Sequence, residues 1–216
     1  MKTRDRIIQT SLELFNQRGE RNVTTNHIAA HLGISPGNLY YHFRNKEDII
    51  HAILCEYADH LALAFQPKQQ SELSLDVLMG YLDAIFYTMW RYRFFYANLA
   101  DLLGRDERLQ RQYLAAQADL DQKLIAIMRN MHASGLLDMS AEALPEFVHT
   151  MKLIVTCWIP YQSTQSPQTL ITRQVVYQGV LSMLNLMRPM MTPVGKERIE
   201  RLSAHYREQL ERELHE

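Results

Sequence analysis

The stretch that decides the fold is Thr24–Lys46, TTNHIAAHLGISPGNLYYHFRNK. It predicts two short helices joined by a tight turn, followed by the start of a third. Thr24 or Thr25 is suited to cap the first helix. Gly33 ends that helix, because glycine readily adopts the left-handed conformation that other residues resist. Ser35 is suited to cap the second helix, and the whole is the layout of a helix-turn-helix.

The second of these helices carries polar and aromatic side chains on the side opposite Leu39 and Phe43. Asn38, Tyr41 and His42 lie at i, i+3 and i+4 and therefore share one face. The N-terminal part of a recognition helix reaches base edges in the major groove, where an asparagine pairs with adenine. We therefore expect Asn38 to contact a base, and Tyr41 and His42 to contact phosphates or a thymine methyl.

These residues closely resemble the DNA-binding signature of the TetR family of bacterial regulators. The resemblance lies in the TT start, the A-x-x-L-G-I-S turn, the G-N-L-Y-Y-H-F helix and the following N-K. It implies an all-α homodimer with an N-terminal three-helix helix-turn-helix domain over 1–46. A C-terminal helical domain for ligand binding and dimerisation is implied over 47–216, linked by a helix over about 45–64.

The resemblance also implies roles for individual positions. The implied phosphate ligands are Thr25, Tyr40, Tyr41, His42 and Lys46. The residues implied to face bases are Pro36, Gly37 and Asn38, and Asn26 and Ser35 complete the predicted DNA face. Lys46 adds its charge to the positive end of the helix that follows Asn45, which is a favourable place for an anion.

Charge is distributed unevenly along the chain. Residues 1–46 contain seven Lys/Arg and three acids, a net charge of +4, which leaves −5 for the remainder of a chain whose net charge is −1. A basic N-terminal segment on an acidic body favours phosphate binding through that segment.

Signals for catalysis, metal binding and membrane insertion are weak or missing in the sequence. His27 and His31 lie at i, i+4 without a third ligand nearby, so neither a metal site nor a cofactor is predicted. No HExxH, Gly-rich phosphate loop or nucleophile motif is present, so an enzyme is not predicted. The two cysteines, Cys55 and Cys157, are expected to be buried apolar residues of a cytoplasmic protein. The first ten residues do not resemble a signal peptide, and no apolar run is long enough to span a membrane.

Hydrophobic periodicity and breaker residues predict the remaining helices. The predicted spans are about 3–18, 74–90, 94–103, 106–133, 141–159, 168–187 and 194–214. Pro160 is expected to limit the helix over 141–159, and 163–167 is expected to be a loop.

The helices predicted over 141–159 and 168–187 are apolar around much of their circumference. One apolar side can face its own protomer, and the other needs cover from a second subunit. We therefore predict a four-helix interface between two copies, with Gly179 permitting close approach. The predicted interface residues are Val176, Gly179, Val180, Met183, Leu184 and Met187.

Aromatic and methionine side chains are concentrated between positions 86 and 158. Each is also what an ordinary core contains, but as a group they suit an adaptable apolar pocket. The predicted pocket residues are Phe86, Met89, Trp90, Phe94, Phe95, Asn98, Tyr113, Met128, Met151 and Trp158. Because few polar groups accompany them, we expect an apolar or aromatic effector.

Together these features predict a dimeric, ligand-responsive transcriptional regulator. The leading hypothesis is a repressor that an apolar small molecule releases from a palindromic DNA operator. The alternative is a DNA-binding dimer that a protein partner controls, or an activator, without a small-molecule effector. An all-helical enzyme ranks third, because it needs ionisable groups that converge in the pocket.

Overall fold

Most of the described residues are helical. A computed structural model describes residues 2–165 and 171–215, and within them the chain forms eleven α-helices and four short 3₁₀ helices. The α-helices are α1 (Thr3–Arg18), α2 (Thr25–Leu32), α3 (Pro36–His42), α4 (Lys46–Ala64), α5 (Leu75–Arg91), α6 (Arg93–Ala97), α7 (Leu99–Arg105), α8 (Glu107–Ala133), α9 (Leu144–Gln165), α10 (Arg173–Met187) and α11 (Pro193–His215). The all-α prediction is confirmed.

Local capping chemistry sets the boundaries of the first helices. The Thr24 hydroxyl accepts from His27 N, and His27 Nδ1 accepts from Thr24 N, each at 3.3 Å, so the two residues form a capping box at the start of α2. Gly33 ends α2 in the left-handed conformation at φ 67°. Ser35 caps α3, and Asn45 Oδ1 accepts from Asp48 N at 2.8 Å to cap α4.

A small apolar core holds α3 against α1, α2 and α4. Leu39 and Phe43 are buried on the inner side of α3. Ile28 from α2, Ile49 from α4 and Phe15 from α1 are buried in the same core. Since the inner side is fixed by this packing, the opposite side of α3 is turned towards solvent.

The larger helices surround α10, which packs against α5, α9 and α11, while α8 packs against α4 and α9. The Phe86 ring of α5 stacks on Tyr177 of α10 with centroids 4.2 Å apart. Where α6 meets α1, the ring centroids of Phe94 and Phe15 lie 5.2 Å apart. The buried core is continuous across this contact. The division at residue 46 therefore stays a prediction about domains and does not mark a gap in packing.

Two predicted helix boundaries are wrong. The helix expected over 94–103 is two helices, α6 and α7, which meet at Asn98. The helix expected to stop before Pro160 continues through the proline to Gln165. Ser163 Oγ also donates to the Ile159 carbonyl at 3.0 Å in this last part of the helix.

The connection between α9 and α10 was predicted as a loop over 163–167. Residues 163–165 are helical, and 166–170 lie outside the described residues. The expected start of the next helix at about 168 falls in the same stretch. The described part of that helix begins at Arg173, where Thr172 Oγ1 accepts from Val175 N at 3.4 Å.

Candidate DNA interface, effector cavity and dimer face

The outward side of α3 is an open surface of polar and aromatic groups. Pro36, Gly37 and Asn38 are exposed at its N-terminus. Tyr41 is 85% exposed, and the half-buried His42 ring lies edge-on to it with centroids 5.1 Å apart. This arrangement agrees with the predicted face, and a role in DNA contact stays a prediction for each residue.

A shallow cleft next to α3 joins the N-termini of α2 and α4. Its lining residues are Val23, Thr24, Thr25, Tyr40, Arg44, Asn45 and Lys46. The Thr25 hydroxyl and the Tyr40 hydroxyl lie 3.0 Å apart, so one donates to the other across the cleft. Two helix N-termini and a cation around a cleft form a favourable environment for a phosphate group.

Lys46 forms an ion pair with a buried acid, and its role as a phosphate ligand stays a prediction. Its Nζ lies 2.7 Å from Oε1 of Glu20, whose side chain is fully buried, and donates to the Glu20 carbonyl at 3.1 Å. The contact between Lys46 Nζ and Oε1 does not meet hydrogen-bond geometry and is an ion pair. The charge of Lys46 is therefore already paired with a buried carboxylate. Arg44, on the rim of the same cleft, is exposed and is the better candidate.

Glu20 also connects the N-terminal helices to α7. Arg105 Nη2 donates to Glu20 Oε2 at 2.7 Å, and next to it Arg21 pairs with Asp101 at 2.7 Å. Asn16 of α1 makes a second connection: its amide donates to the Arg91 carbonyl at 2.8 Å, and its side-chain oxygen accepts from the backbone N–H of Phe94 at 3.0 Å. These contacts fix α1 and the turn after it to the body.

Two neighbouring cavities lie inside the body, each of about 60 Å³. The first, between α4, α5, α6, α8 and α9, has polar groups on its wall from Tyr57, Thr88, Tyr96, Gln117, Lys152 and Thr156. The second extends towards α10 and α11 and is almost wholly apolar. The residues that line both are Phe65, Ile85, Leu124, Met151 and Met183.

The predicted pocket residues overlap little with the lining of these two cavities, and their role in ligand binding stays a prediction. Of the predicted pocket residues, Met128 and Met151 line these cavities. The others pack elsewhere in the body, as the stacking of Phe86 on Tyr177 illustrates. Tyr57 and Lys152 were missed; for Tyr57 the available signal was an inward-facing tyrosine on α4, whose polar tip needs a partner when buried.

Burial determines the protonation of the tyrosines on the cavity wall. The pKa of Tyr57 is raised from its ordinary value of 10.0, chiefly by burial, although hydrogen bonds from Tyr96 and Gln117 oppose the shift. Burial likewise raises the pKa of Tyr96 well above that value, and the nearby Tyr57 adds to the effect. Both are therefore neutral phenols at neutral pH.

Two family models cover most of the chain. Residues 7–53 match the model described as "Bacterial regulatory proteins, tetR family", and residues 56–199 match the model described as "Bacterial transcriptional repressor". The chain belongs to the TetR family. It is therefore a transcriptional regulator with a helix-turn-helix DNA-binding domain, and not an enzyme.

Individual proteins agree with this assignment. A TetR-family transcriptional regulator from Marinobacter aquaeolei VT8 is 38% identical, with a TM-score of 0.82, over 95% of this chain and 99% of that one. The regulator SrpR of Pseudomonas putida is 35% identical over 85 residues, which is 39% of this chain and 40% of SrpR. The biofilm-operon negative regulator IcaR of Staphylococcus aureus is 26% identical over 72% of this chain and 81% of IcaR.

The predicted dimer-interface residues of this TetR-family regulator lie inside the protomer. Val176, Gly179, Val180, Met183, Leu184 and Met187 are all buried within a single chain. Gly179 does allow close approach, but to its own chain: a Cβ there would lie 2.8 Å from Cδ1 of Trp158. The prediction failed because a helix with two apolar sides does not reveal which side faces its own core.

The exposed apolar side chains of α9 and α10 lie mainly on α9. His149, Leu153, Cys157 and Tyr161 recur every four residues and are all exposed, with Leu153 at 54% and Tyr161 at 55%. This set, which we call the α9 stripe, replaces the predicted interface residues as the candidate dimer face. Cys157, and also Cys55, were expected to be buried and are instead exposed.

Groups of three or more side chains suited to hold a metal ion are missing from the described part of the chain. Among its helices, none is both long enough and apolar enough to cross a lipid bilayer.

Proposed function

We propose that this TetR-family regulator is a cytoplasmic, dimeric repressor that leaves a palindromic operator when a small molecule occupies the body cavity. The observation that carries the proposal is the position of α4. Its first residue lines the cleft beside α3, and Tyr57 and Leu61 of the same unbroken helix line the cavity. A ligand that displaces the far end of α4 therefore acts on the helix that supports the DNA face.

The DNA contact is supported by what α3 exposes. Asn38 is placed to reach a base edge at the helix N-terminus, and Tyr41 extends almost fully into solvent. Thr25, Tyr40 and Arg44 surround the cleft in which a phosphate fits. A helix as short as α3 reads few base pairs, so a palindrome and a second copy about one DNA turn away, roughly 34–36 Å, supply the rest.

The second copy is proposed to pack on the α9 stripe. Leu153→Arg is expected to give monomers in sedimentation velocity, because it places a charge in an apolar interface without touching the protomer core. Leu114→Arg on α8, which replaces a leucine of similar exposure, 57%, is the matched control and should leave the dimer intact. Equal sedimentation of both variants would contradict this interface.

Release requires the ligand to prefer the conformation that does not bind DNA. A ligand with equal affinity for both conformations shifts nothing, and about 5.5 kcal/mol of preference moves a 1:99 equilibrium to 99:1. The contacts of Glu20 and Asn16 transmit the resulting movement to the DNA-binding helices, because they fix α1 and the turn after it to α5, α6 and α7.

The decisive test is fluorescence anisotropy on labelled DNA taken from upstream of the protein's own coding sequence. Tyr41→Ala is expected to weaken binding at least tenfold, while Asn38→Ala changes base preference. Arg44→Ala should weaken all sequences and reduce the salt slope by about one. Leu114→Ala is the control for an exposed apolar residue. Wild-type affinity in all three DNA-face variants would refute the assignment of that face.

One observation favours the second hypothesis, control without a small molecule. Cavities of about 60 Å³ are well below the ~300–1,000 Å³ typical of drug-sized ligands. Regulation by a protein partner needs no enlargement of the cavity. Operator release by a cell extract that persists after its small molecules are removed by dialysis would favour this alternative.

A further inference from the structure

The first cavity has one polar end, formed by side chains from four helices. The Tyr57 and Tyr96 hydroxyls lie 3.3 Å apart, and Gln117 Nε2 donates to the Tyr57 hydroxyl at 3.2 Å. Lys152 Nζ donates to the backbone carbonyl of Gln117 at 3.5 Å. Tyr57 and Tyr96 are only 2% and 4% exposed, so both phenols are buried.

One phenolic hydrogen at this end has no acceptor. The two hydroxyls carry two hydrogens, and only one of these can lie between the two oxygens. Gln117 uses its amide as a donor here and therefore takes neither hydrogen. Among the described residues, the hydrogen bonds of these two hydroxyls are the one between them and the one from Gln117. A buried donor without a partner costs about 1–3 kcal/mol, so an acceptor supplied by a ligand is favoured.

Charge at the polar end is already balanced. Lys152 Nζ lies 2.5 Å from Asp121 Oδ1, and the neighbouring Lys123 pairs with Asp119 at 2.7 Å. An anionic ligand has no unpaired cation to meet among these groups, and burying an unpaired ion is costly. The acceptor that fits is therefore uncharged.

The other end of the space is apolar and adaptable. Met151 and Met183 stand on the walls of both cavities, and Met128, Met131 and Met187 line the second. Methionine side chains rotate and repack at low cost. Movement of Met151 and Met183 would join the two cavities into one elongated space.

From these observations we infer that the cavity binds an uncharged, elongated apolar molecule with a carbonyl oxygen at one end, such as a ketone, held by a hydrogen bond from the Tyr57–Tyr96 pair. The inference rests on the proposed function, because it names the class of effector for the same cavity. The carbonyl lies at the polar end, and the hydrocarbon chain extends past Met151 and Met183 into the second cavity.

The test uses 2-nonanone as the ketone probe and nonanoate as its anionic counterpart. Binding is followed in the full-length protein by NMR of ¹³C-labelled methionine methyls. The Met151 and Met183 signals should move with 2-nonanone, while Met139, which lines neither cavity, should not. Nonanoate should bind on the order of tenfold more weakly or worse. Equal or tighter binding of nonanoate, or unmoved Met151 and Met183 signals at saturating ketone, would overturn the inference.

The hydrogen bond is tested by removing the phenols. Tyr57→Phe/Tyr96→Phe should weaken 2-nonanone binding about five- to tenfold, the value of one hydrogen bond. Tyr81→Phe is the matched control, because Tyr81 lines the second cavity but already donates to the Gln66 carbonyl at 2.7 Å. Its affinity should stay within about twofold of wild type. Unchanged affinity in the double variant contradicts the assigned hydrogen bond.

A measurement on the wild-type protein makes the test independent of whether the double variant folds. The carbonyl resonance of bound [2-¹³C]2-nonanone should lie downfield of its position in hexane, as expected for a hydrogen-bonded ketone. A bound carbonyl at the hexane position would show that no donor meets it and would overturn the inference.

Failure of the inference and failure of the proposed function give different results. Ketone binding with the expected tyrosine dependence, but no release of the operator, supports the inferred ligand class and refutes the release step. Operator release by a compound that leaves the Met151 and Met183 signals unmoved supports release by a small molecule and refutes the inferred ligand site.

Discussion

Replacing Gly179 by alanine tests how tightly α9 and α10 pack inside one protomer. Trp158 of α9 lies directly over this glycine, and an added Cβ would be 2.8 Å from Cδ1 and 2.9 Å from Nε1 of the indole. The indole cannot move away freely, because its Nε1 donates to the Val175 carbonyl at 2.7 Å, one turn earlier on α10. Gly179→Ala therefore both strains the packing and weakens that hydrogen bond.

The magnitude follows from three opposing effects. Alanine favours a helix by about 0.8–1.0 kcal/mol over glycine. Overpacking a filled site costs about 1–3 kcal/mol, and weakening the indole hydrogen bond costs about 0.5–1.5 kcal/mol. The expected net result is a loss of about 1–3 kcal/mol in the free energy of unfolding.

Gly80→Ala provides the matched control. Gly80 is also inside a helix, α5, but a Cβ there has no heavy atom within 4 Å. Only the helix preference remains, so this variant should gain about 0.5–1 kcal/mol. Urea unfolding followed by circular dichroism, at one fixed protein concentration, measures both. If Gly179→Ala proves as stable as Gly80→Ala, the close packing of Trp158 on α10 is refuted.

Two further predictions concern charged and titratable groups. Arg105→Met should lower the free energy of unfolding by about 2 kcal/mol. This is less than the ~3–5 kcal/mol of a fully buried ion pair, because Arg105 is partly exposed and Lys46 still faces Glu20. Arg111→Met breaks an exposed pair and should cost under about 1 kcal/mol in the same urea assay, and equal costs for the two variants would contradict the buried role of Arg105. Burial lowers the pKa of His51 and of His60 below 6.5, so the unfolded chain takes up protons first as the pH falls. The stability that these neutral histidines contribute is complete above about pH 6.5 and is lost towards their lower folded pKa, so the urea midpoint should fall between about pH 7 and pH 5. His51→Gln/His60→Gln should flatten that fall, and an unchanged slope would assign the pH dependence to other groups.

Local chemistry made the N-terminal helices predictable. The threonine cap, the glycine turn, the Ser35 cap and the Asn45 cap each act within four residues, so a short stretch of sequence contains all partners. The same holds for the inner side of α3, where Leu39 and Phe43 follow the helical period. The family was also recognisable from this stretch alone.

Contacts between distant parts of the chain were not predictable from such patterns. The ion pair of Lys46 is not visible in its own stretch of sequence, because its partner Glu20 is 26 residues away, and Arg105 is 85 residues from Glu20. Similarly, the buried Val180 and Met183 and the exposed Leu153 all belong to apolar helices. Periodicity alone does not show which apolar side its own protomer has already covered.

The buried carboxylate of Glu20 bears on how hybrid regulators are built. A graft that transfers residues 1–46 to a foreign body carries the acid and its lysine but leaves the arginine of α7 behind. Unless the recipient supplies a cation at the equivalent place, the graft creates a half-neutralised acid at the seam, and its loss of stability will be mistaken for incompatible DNA recognition. The useful unit of exchange therefore includes position 105 together with the first 46 residues.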